Sequence, residues 1–197
     1  MKRIVIATKN PGKLREMKDA FRGLPIEILS LTDFGELPDA VEDGATFAEN
    51  ASIKARFFRE KTGLACLADD SGLEVEALNG GPGVHSARFA GYHADDDANN
   101  KKLLDELEKI GIKKSKADYR CVLSFIDVDG SEIQTDGVVF GTIKAIPKGV
   151  NGFGYDPYFY IDEVKTMAEI SLEEKDKISH RGAALRKMVS KLKERLS

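Results

Sequence analysis

The sequence predicts an α/β protein built on a mixed sheet. In the N-terminal part, short aliphatic runs alternate with helical patterns, the arrangement that lays strands side by side with helices on their faces. Further on, residues 119–128 and 132–140 are split by Asp129-Gly130, a hairpin signal that calls for an antiparallel pair. The composition of the 197 residues, 42% hydrophobic and 32% charged, supports one substantial core. No repeat, low-complexity tract or Ser/Gly linker interrupts the chain, so a single domain over residues 1–197 is expected.

The elements follow in order. Residues 3–8 read as a buried strand, and Asn10-Pro11 opens a helix, with Asn as cap and Pro in the first turn. Leu14, Met17, Phe21 and Leu24 recur at helical spacing. A short strand over 26–31 leads into an acidic loop at 39–44. Thr46-Phe-Ala-Glu49 has the form of a capping box and starts a helix that runs to about Lys61. Residues 64–68 form a compact apolar strand ending on Asp69-Asp70-Ser71-Gly72. Asn79 to Gly83 reads as loop, and 97–110 as a surface helix whose apolar face is Leu103, Leu104, Leu107 and Ile110. After the hairpin, residues 142–146 continue the sheet and a glycine-rich loop spans 148–157. A strand at 158–161, a short helix opened by Ser171 and Glu174, and a last helix over 179–196 burying Leu185, Met188, Val189 and Leu192 complete the chain.

Composition excludes several functions. The formal net charge of -3 gives no global attraction for nucleic acid or an anionic membrane, so an anionic ligand must be held by a local basic cluster. No apolar run approaches the roughly 18 residues of a spanning helix, and the first strand lacks the features of a signal peptide, so a cytoplasmic protein is expected. Cys66 and Cys121 sit in apolar runs without the paired spacing of a metal knuckle and read as buried free thiols.

Four segments carry chemistry. Thr8-Lys9-Asn10-Pro11-Gly12-Lys13 joins a strand to a helix, where exposed amides and the helix dipole favour an anion. It is not a Walker A loop, since the first glycine is missing and Leu14 stands where a hydroxyl would meet magnesium. Glu42 or Asp43 with Asp69 and Asp70 offers hard oxygen ligands at a strand's C-terminal end, and strand alternation puts Asp69 and Asp70 on opposite sides without saying which faces a ligand. Gly152-Phe153-Gly154-Tyr155-Asp156-Pro157 presents an aromatic face and a carboxylate suited to a purine. Ser179-His180-Arg181, preceded by Lys175, puts cationic donors in a first helical turn, where the dipole prefers acids, which points to a ligand role. His85 and His93 show no ligand spacing and receive no role.

The motifs T-x-N-x-x-K at 8–13, Glu42, T-F-x-E-N-A-x-x-K-A at 46–55, A-D-D-S-G-L at 68–73, Gly80 to Gly83 with Ser86-Ala87-Arg88, F-G-Y-D-P at 153–157 and S-H-R at 179–181, taken in order, resemble the inosine triphosphate pyrophosphatase family. The resemblance implies hydrolysis of dITP, ITP and XTP to the monophosphate and pyrophosphate. It also implies a long mixed β-sheet flanked by helices, with two lobes around a central cleft, and a homodimer. Magnesium would be held by Glu42 and Asp70, with Asp70 also the base for the attacking water. Thr8, Lys9, Asn10, Pro11, Gly12, Lys13 and Lys54 would hold phosphate, and Ser71 would touch the substrate. Phe153, Gly154, Tyr155, Asp156, Lys175, His180 and Arg181 would form the base pocket, with the loop amides among the donors that read a 6-keto oxygen. Two other readings share these residues: a pyrophosphatase for another modified nucleotide, such as a methylated pyrimidine, and a nucleotide-sensing protein without turnover.

Overall fold

In the computed structural model, residues 2–91 and 95–196 are described; His93 lies outside them. Among the described residues the strands and α-helices follow in the order β1 (Lys2–Ile6), α1 (Pro11–Ala20), β2 (Ile26–Ser30), α2 (Phe47–Thr62), β3 (Ala65–Val75), β4 (Gly81–Pro82), α3 (Asp96–Lys109), β5 (Lys114–Ile126), β6 (Glu132–Lys144), β7 (Phe159–Tyr160), α4 (Leu172–Ile178) and α5 (His180–Leu196). The sheet runs β2-β1-β3-β5-β6-β7, with β4 paired to β3. It is mixed: β1 is parallel to β2 and β3, and β6 is antiparallel to β7. Neighbours β5 and β6 are joined by residues 127–131 alone, far short of a parallel crossover, which fixes them as the expected hairpin.

Local signals set the helix starts. Thr46 and Glu49 form the capping box of α2, and Ser171 and Glu174 that of α4. Helix α2 stops at Gly63, whose φ of 68° suits a left-handed C-terminal residue without a Cβ clash.

The chain folds as two compact units: residues up to Asp70, Cys121–Gly137 and from Arg181 onward in the first, Ser71–Arg120 and Val138–His180 in the second. The first has a core on each sheet face. Ile4, Ile6, Ala65, Leu67, Leu123 and Phe125 pack with Met17 of α1 and Ala184, Leu185, Met188 and Leu192 of α5. Val5, Ala7, Cys66, Ala68 and Ile126 pack with Ala55 and Phe58 of α2. The period of two along β1 and β3 divides these sets, and burial on both faces explains why the strands read as continuous apolar runs. In the second unit Leu73 and Val75 of β3, Leu103 and Leu107 of α3, Tyr119 of β5 and Ile143 of β6 share a core with Tyr155, Phe159, Met167 and Ile170. Truncating a fully buried leucine such as Leu103 to Ala would cost about 2–5 kcal/mol.

Four expectations need correction. Strand β3 does not end at Ala68 but continues through Asp69-Asp70-Ser71-Gly72 to Val75, because Leu73 and Val75 find a second core. The 79–83 loop contains the short strand β4. Ile110 follows α3 and is 51% exposed, so the helix buries Leu103 and Leu107 instead. The segments expected at 132–140 and 142–146 form one strand that runs through Gly141 and ends at Lys144; at Gly141 a Cβ would stand 2.5 Å from the Tyr160 carbonyl oxygen and 2.6 Å from the Phe159 ring. Only glycine lets β7 lie that close.

Candidate functional site

The turn into α1 is built as its residues dictate. Asn10 caps the helix, its Oδ1 accepting from Lys13 N at 3.1 Å, and Pro11 takes the first position, where no N–H is missed. Asn10 N donates to Thr8 Oγ1 at 3.2 Å, and Gly12 lies within α1. Lys13 reaches Asp69 Oδ2 at 2.8 Å, whereas Lys9 pairs with exposed Asp39 at 2.5 Å. Thr8, Lys9, Asp39, Glu42, Lys54 and Phe58 line a pocket of the first unit.

Alternation along β3 separates the two adjacent acids. Leu67 belongs to the core under α1 and α5 and Ala68 to the core under α2, so Asp69 continues the first face and Asp70 the second. Asp69 meets Lys13 of α1, and Nε of Arg181 on α5 stands 3.5 Å away; Nη1 of the same guanidinium pairs with Glu16 at 2.6 Å. On the other face, Lys54 of α2 pairs with Glu42 at 2.7 Å and donates to the Asp69 carbonyl oxygen at 3.0 Å.

Burial would raise both carboxyl groups, and their neighbours decide the outcome. For Asp69 the fields of Lys13, Arg181 and Lys54 outweigh burial and hold the group well below the usual carboxylate range. For Asp70 burial prevails: Lys54 and Lys13 oppose it only in part, Glu42 and Asp69 add to it, and the carboxyl is pushed up to about 6. Burial pulls the Lys54 ammonium down, but Asp69, Glu42 and Asp70 more than restore it.

These oxygens suit a hard divalent cation. Three cations, Lys13, Lys54 and Arg181, face four carboxylates, Glu16, Glu42, Asp69 and Asp70, so a polyphosphate arriving here needs further positive charge. Among the described residues no three His, Cys, Asp or Glu side chains form a cage for an ion. Magnesium asks for less, usually one or two carboxylates with water and phosphate completing its shell, and Glu42 with Asp70 fits that pattern.

The second unit holds a different group. Gly152 has φ of 79°, and a Cβ there would stand 2.0 Å from Asp156 Oδ2, so the bend requires glycine. Phe153 N donates to that oxygen at 3.0 Å, and Lys175 Nζ pairs with it at 2.5 Å, both charged side chains being buried. Lys175 Nζ also lies 4.6 Å from the centre of the Phe153 ring, a cation–π contact. Gly154 N donates to Asp96 at 2.6 Å, its carbonyl accepts from Asn100 Nδ2 at 3.0 Å, and the Tyr155 hydroxyl donates to the Ser86 carbonyl at 2.7 Å. His180 stacks on Tyr119, ring centres 4.8 Å apart, and burial together with Asp156 drives the Tyr119 phenol well above its ordinary value.

Most of the residues singled out from the sequence thus gather into two groups: Lys13, Glu42, Lys54, Asp70 and the Thr8–Gly12 turn in one, Phe153–Asp156, Lys175 and His180 in the other. Ser71 is the next residue of β3 after Asp70, at the start of the second unit. Arg181, at the start of α5, pairs with Glu16 and approaches Asp69, acids of the first unit. The Phe153 and Gly154 amides donate to Asp156 and Asp96. Sequence reasoning overlooked Glu16, Tyr119, Asp96 and Asn100. Glu16 stands three residues after Lys13 and so shares its helix face, the one signal that pointed to it.

Solved structures of the same architecture are Ham1 proteins. That from Coxiella burnetii superposes with a TM-score of 0.90 at 43% identity, covering 98% of this chain and 100% of the other. That from Staphylococcus aureus gives 0.86 at 39% identity with the same coverage. Residues 4–191 match the Ham1 family, and the chain belongs to it. The dITP/XTP pyrophosphatase of Geobacter sulfurreducens is 50% identical over 186 residues, 94% of each chain, and that of Thermoanaerobacter sp. is 49% identical over 195 residues, 98% of each.

Proposed function

We propose that this protein hydrolyses the non-standard purine nucleoside triphosphates dITP, ITP and XTP to the monophosphate and pyrophosphate, clearing them from the nucleotide pool. The observation that carries the reading is the convergence of Glu42, Lys54 and Asp70, a base and a cation beside hard oxygen ligands, in a relative of dITP/XTP pyrophosphatases. Asp70 orients a water molecule and takes its proton as the oxygen bonds to the α-phosphorus. The bond from that phosphorus to the bridging oxygen breaks, and its electron pair leaves with pyrophosphate. Lys13 and Lys54 face the phosphates with the amides of the Thr8–Lys13 turn. Glu42 and Asp70 would hold magnesium, which would offset phosphate charge that the lysines leave unbalanced.

The base falls to the second group. Phe153 offers a stacking face, Lys175 and His180 offer donors to the 6-keto oxygen, and a 6-amino group would meet donors with a donor. Arg181 keeps its expected role at the substrate, its guanidinium held by Glu16. The reading includes a homodimer in the cytoplasm; among the described residues no helix is long and apolar enough to cross a membrane. Initial rates on ITP, XTP, dITP, GTP, ATP and dTTP, with magnesium or with EDTA, test it. We expect monophosphate and pyrophosphate in equal amounts, ATP slower by up to about 10⁴-fold, and no turnover in EDTA. Release of orthophosphate, or equal rates on ATP and ITP, would refute the assignment.

A further inference from the structure

We propose that Asp96 and Asn100 of α3 are positioning residues for base recognition: they hold Gly154 by both of its backbone polar groups and thereby set where the Phe153 ring stands. The inference rests on the reading of Phe153 as a base-stacking residue and deepens it. Asp96 and Asn100 are four residues apart and share a helix face, one accepting from Gly154 N at 2.6 Å and the other donating to Gly154 O at 3.0 Å. Gly154 has φ of 63°, so the pair grips the loop at a left-handed residue next to Phe153.

The helix dipole favours an acid in the first turn, but neither the cap nor the core requires these two side chains. Asp95 caps α3, accepting from Ala98 N at 2.8 Å, so the carboxylate of Asp96 is not needed as a cap. Asn100 continues the stripe of Leu103 and Leu107, which enter the core of the second unit, and it is only 6% exposed. An aliphatic side chain would suit that core position but would leave the Gly154 carbonyl without this donor. The asparagine instead buries an Oδ1 that accepts no hydrogen bond among the described residues, which is unfavourable. What the fold retains for that cost is the single bond from Nδ2 to Gly154. Asp156 and Lys175 hold the other side of Phe153, so release of Gly154 frees the ring on one side only. The expected consequence is looser base binding with an intact phosphate end.

Steady-state kinetics on the full chain with magnesium tests this with Asn100→Asp, which keeps the shape but sets an acceptor against the Gly154 carbonyl, and with Asp96→Ala. Each should raise KM for ITP about 10-fold, narrow the ITP to ATP ratio of kcat/KM by a similar factor, and leave kcat within about threefold. The inhibition constant of inorganic tripolyphosphate, a probe without a base, should not move. Asp96→Asn keeps an acceptor for Gly154 N and should behave as the parent. Asp97→Ala removes a first-turn acid equally close to the helix dipole and should also be silent. Parent-like KM in both Asn100→Asp and Asp96→Ala, or a parallel rise in KM and in the tripolyphosphate constant, overturns the proposal. Phe153→Ala separates the two levels: if it shifts the ITP to ATP ratio while Asn100→Asp does not, the base reading stands and the clamp falls. If Phe153→Ala leaves the ratio unchanged, both fall.

Discussion

The two units concentrate opposite kinds of chemistry. In the first, Lys13, Lys54 and Arg181 pair with Asp69, Glu42 and Glu16, and Asp70 feels the charges of Lys54 and Lys13. In the second, one buried ion pair lies against a ring, beside a stacked His180 and Tyr119, and the bonds that shape the loop run to backbone groups. The first arrangement suits a polyanion whose charge must be matched at several points, and the second a flat, uncharged ring whose edge must be read. A nucleoside triphosphate presents both. On the proposed function, turnover and metal dependence fall to the first group, and affinity and base choice to the second.

Asp70→Asn should break that division most severely. Shape is kept and the base is lost, so turnover should fall about 10²–10⁴-fold while nucleotide affinity is largely retained. Turnover within threefold of the parent would pass the role to Asp69 or Glu42. The pH profile has a definite sign. A carboxylate base works in its deprotonated form, so kcat/KM of the parent should fall as pH drops, and more magnesium should move the fall to lower pH, because a cation held by Asp70 favours its ionised form. Stability in EDTA should run the opposite way. The folded-state value lies above the ordinary 3.8, so Asp70 contributes stability below about pH 4, and that contribution is lost as pH rises through 6. Asp70→Asn should therefore melt higher than the parent at pH 8, by up to roughly 3 kcal/mol, with the gap closing near pH 4. A lower melting temperature at both pH values would make Asp70 a structural partner.

Lys175→Ala comes next and tests stability rather than turnover. Asp156 would be left charged and buried, so denaturant unfolding should show a loss of about 3–5 kcal/mol. A loss below about 1 kcal/mol would mean that water reaches the pair. Phe153→Ala should cost roughly 1–3 kcal/mol in nucleotide binding and little in melting temperature. The reverse pattern, a large stability loss at constant KM, would make the ring an anchor of its loop. The smallest effect is expected of Lys9→Ala, since its pair with Asp39 is exposed on both sides and exposed pairs contribute about 0–1 kcal/mol. A change of tenfold or more in KM would show that Lys9 leaves Asp39 for a phosphate.

Legibility in the sequence followed the range of the interactions. The caps at Asn10, Thr46 and Ser171, the glycine bend at 152 and the hairpin turn are decided within a few residues of chain, and each is where local chemistry puts it. The apolar spacing likewise fixed the helices and the buried strands of the first unit, and the ordered motifs marked nearly every group that assembles near Asp70 and Phe153. What alternation left open is which sheet face each of Asp69 and Asp70 would take. That was settled by α1 and α5 on one face and α2 on the other, each bringing its own cation. The placement of Arg181 against Glu16, across 165 residues of sequence, was equally out of local reach. So was the continuation of β3 beyond its acidic residues, which depends on a second core for Leu73 and Val75. The reason is physical: a cap, a turn or a helical stripe is stabilised by atoms that the chain itself keeps adjacent. The charge state of a buried carboxylate and the partner of a buried guanidinium depend on fields from elements that only packing brings within a few ångströms.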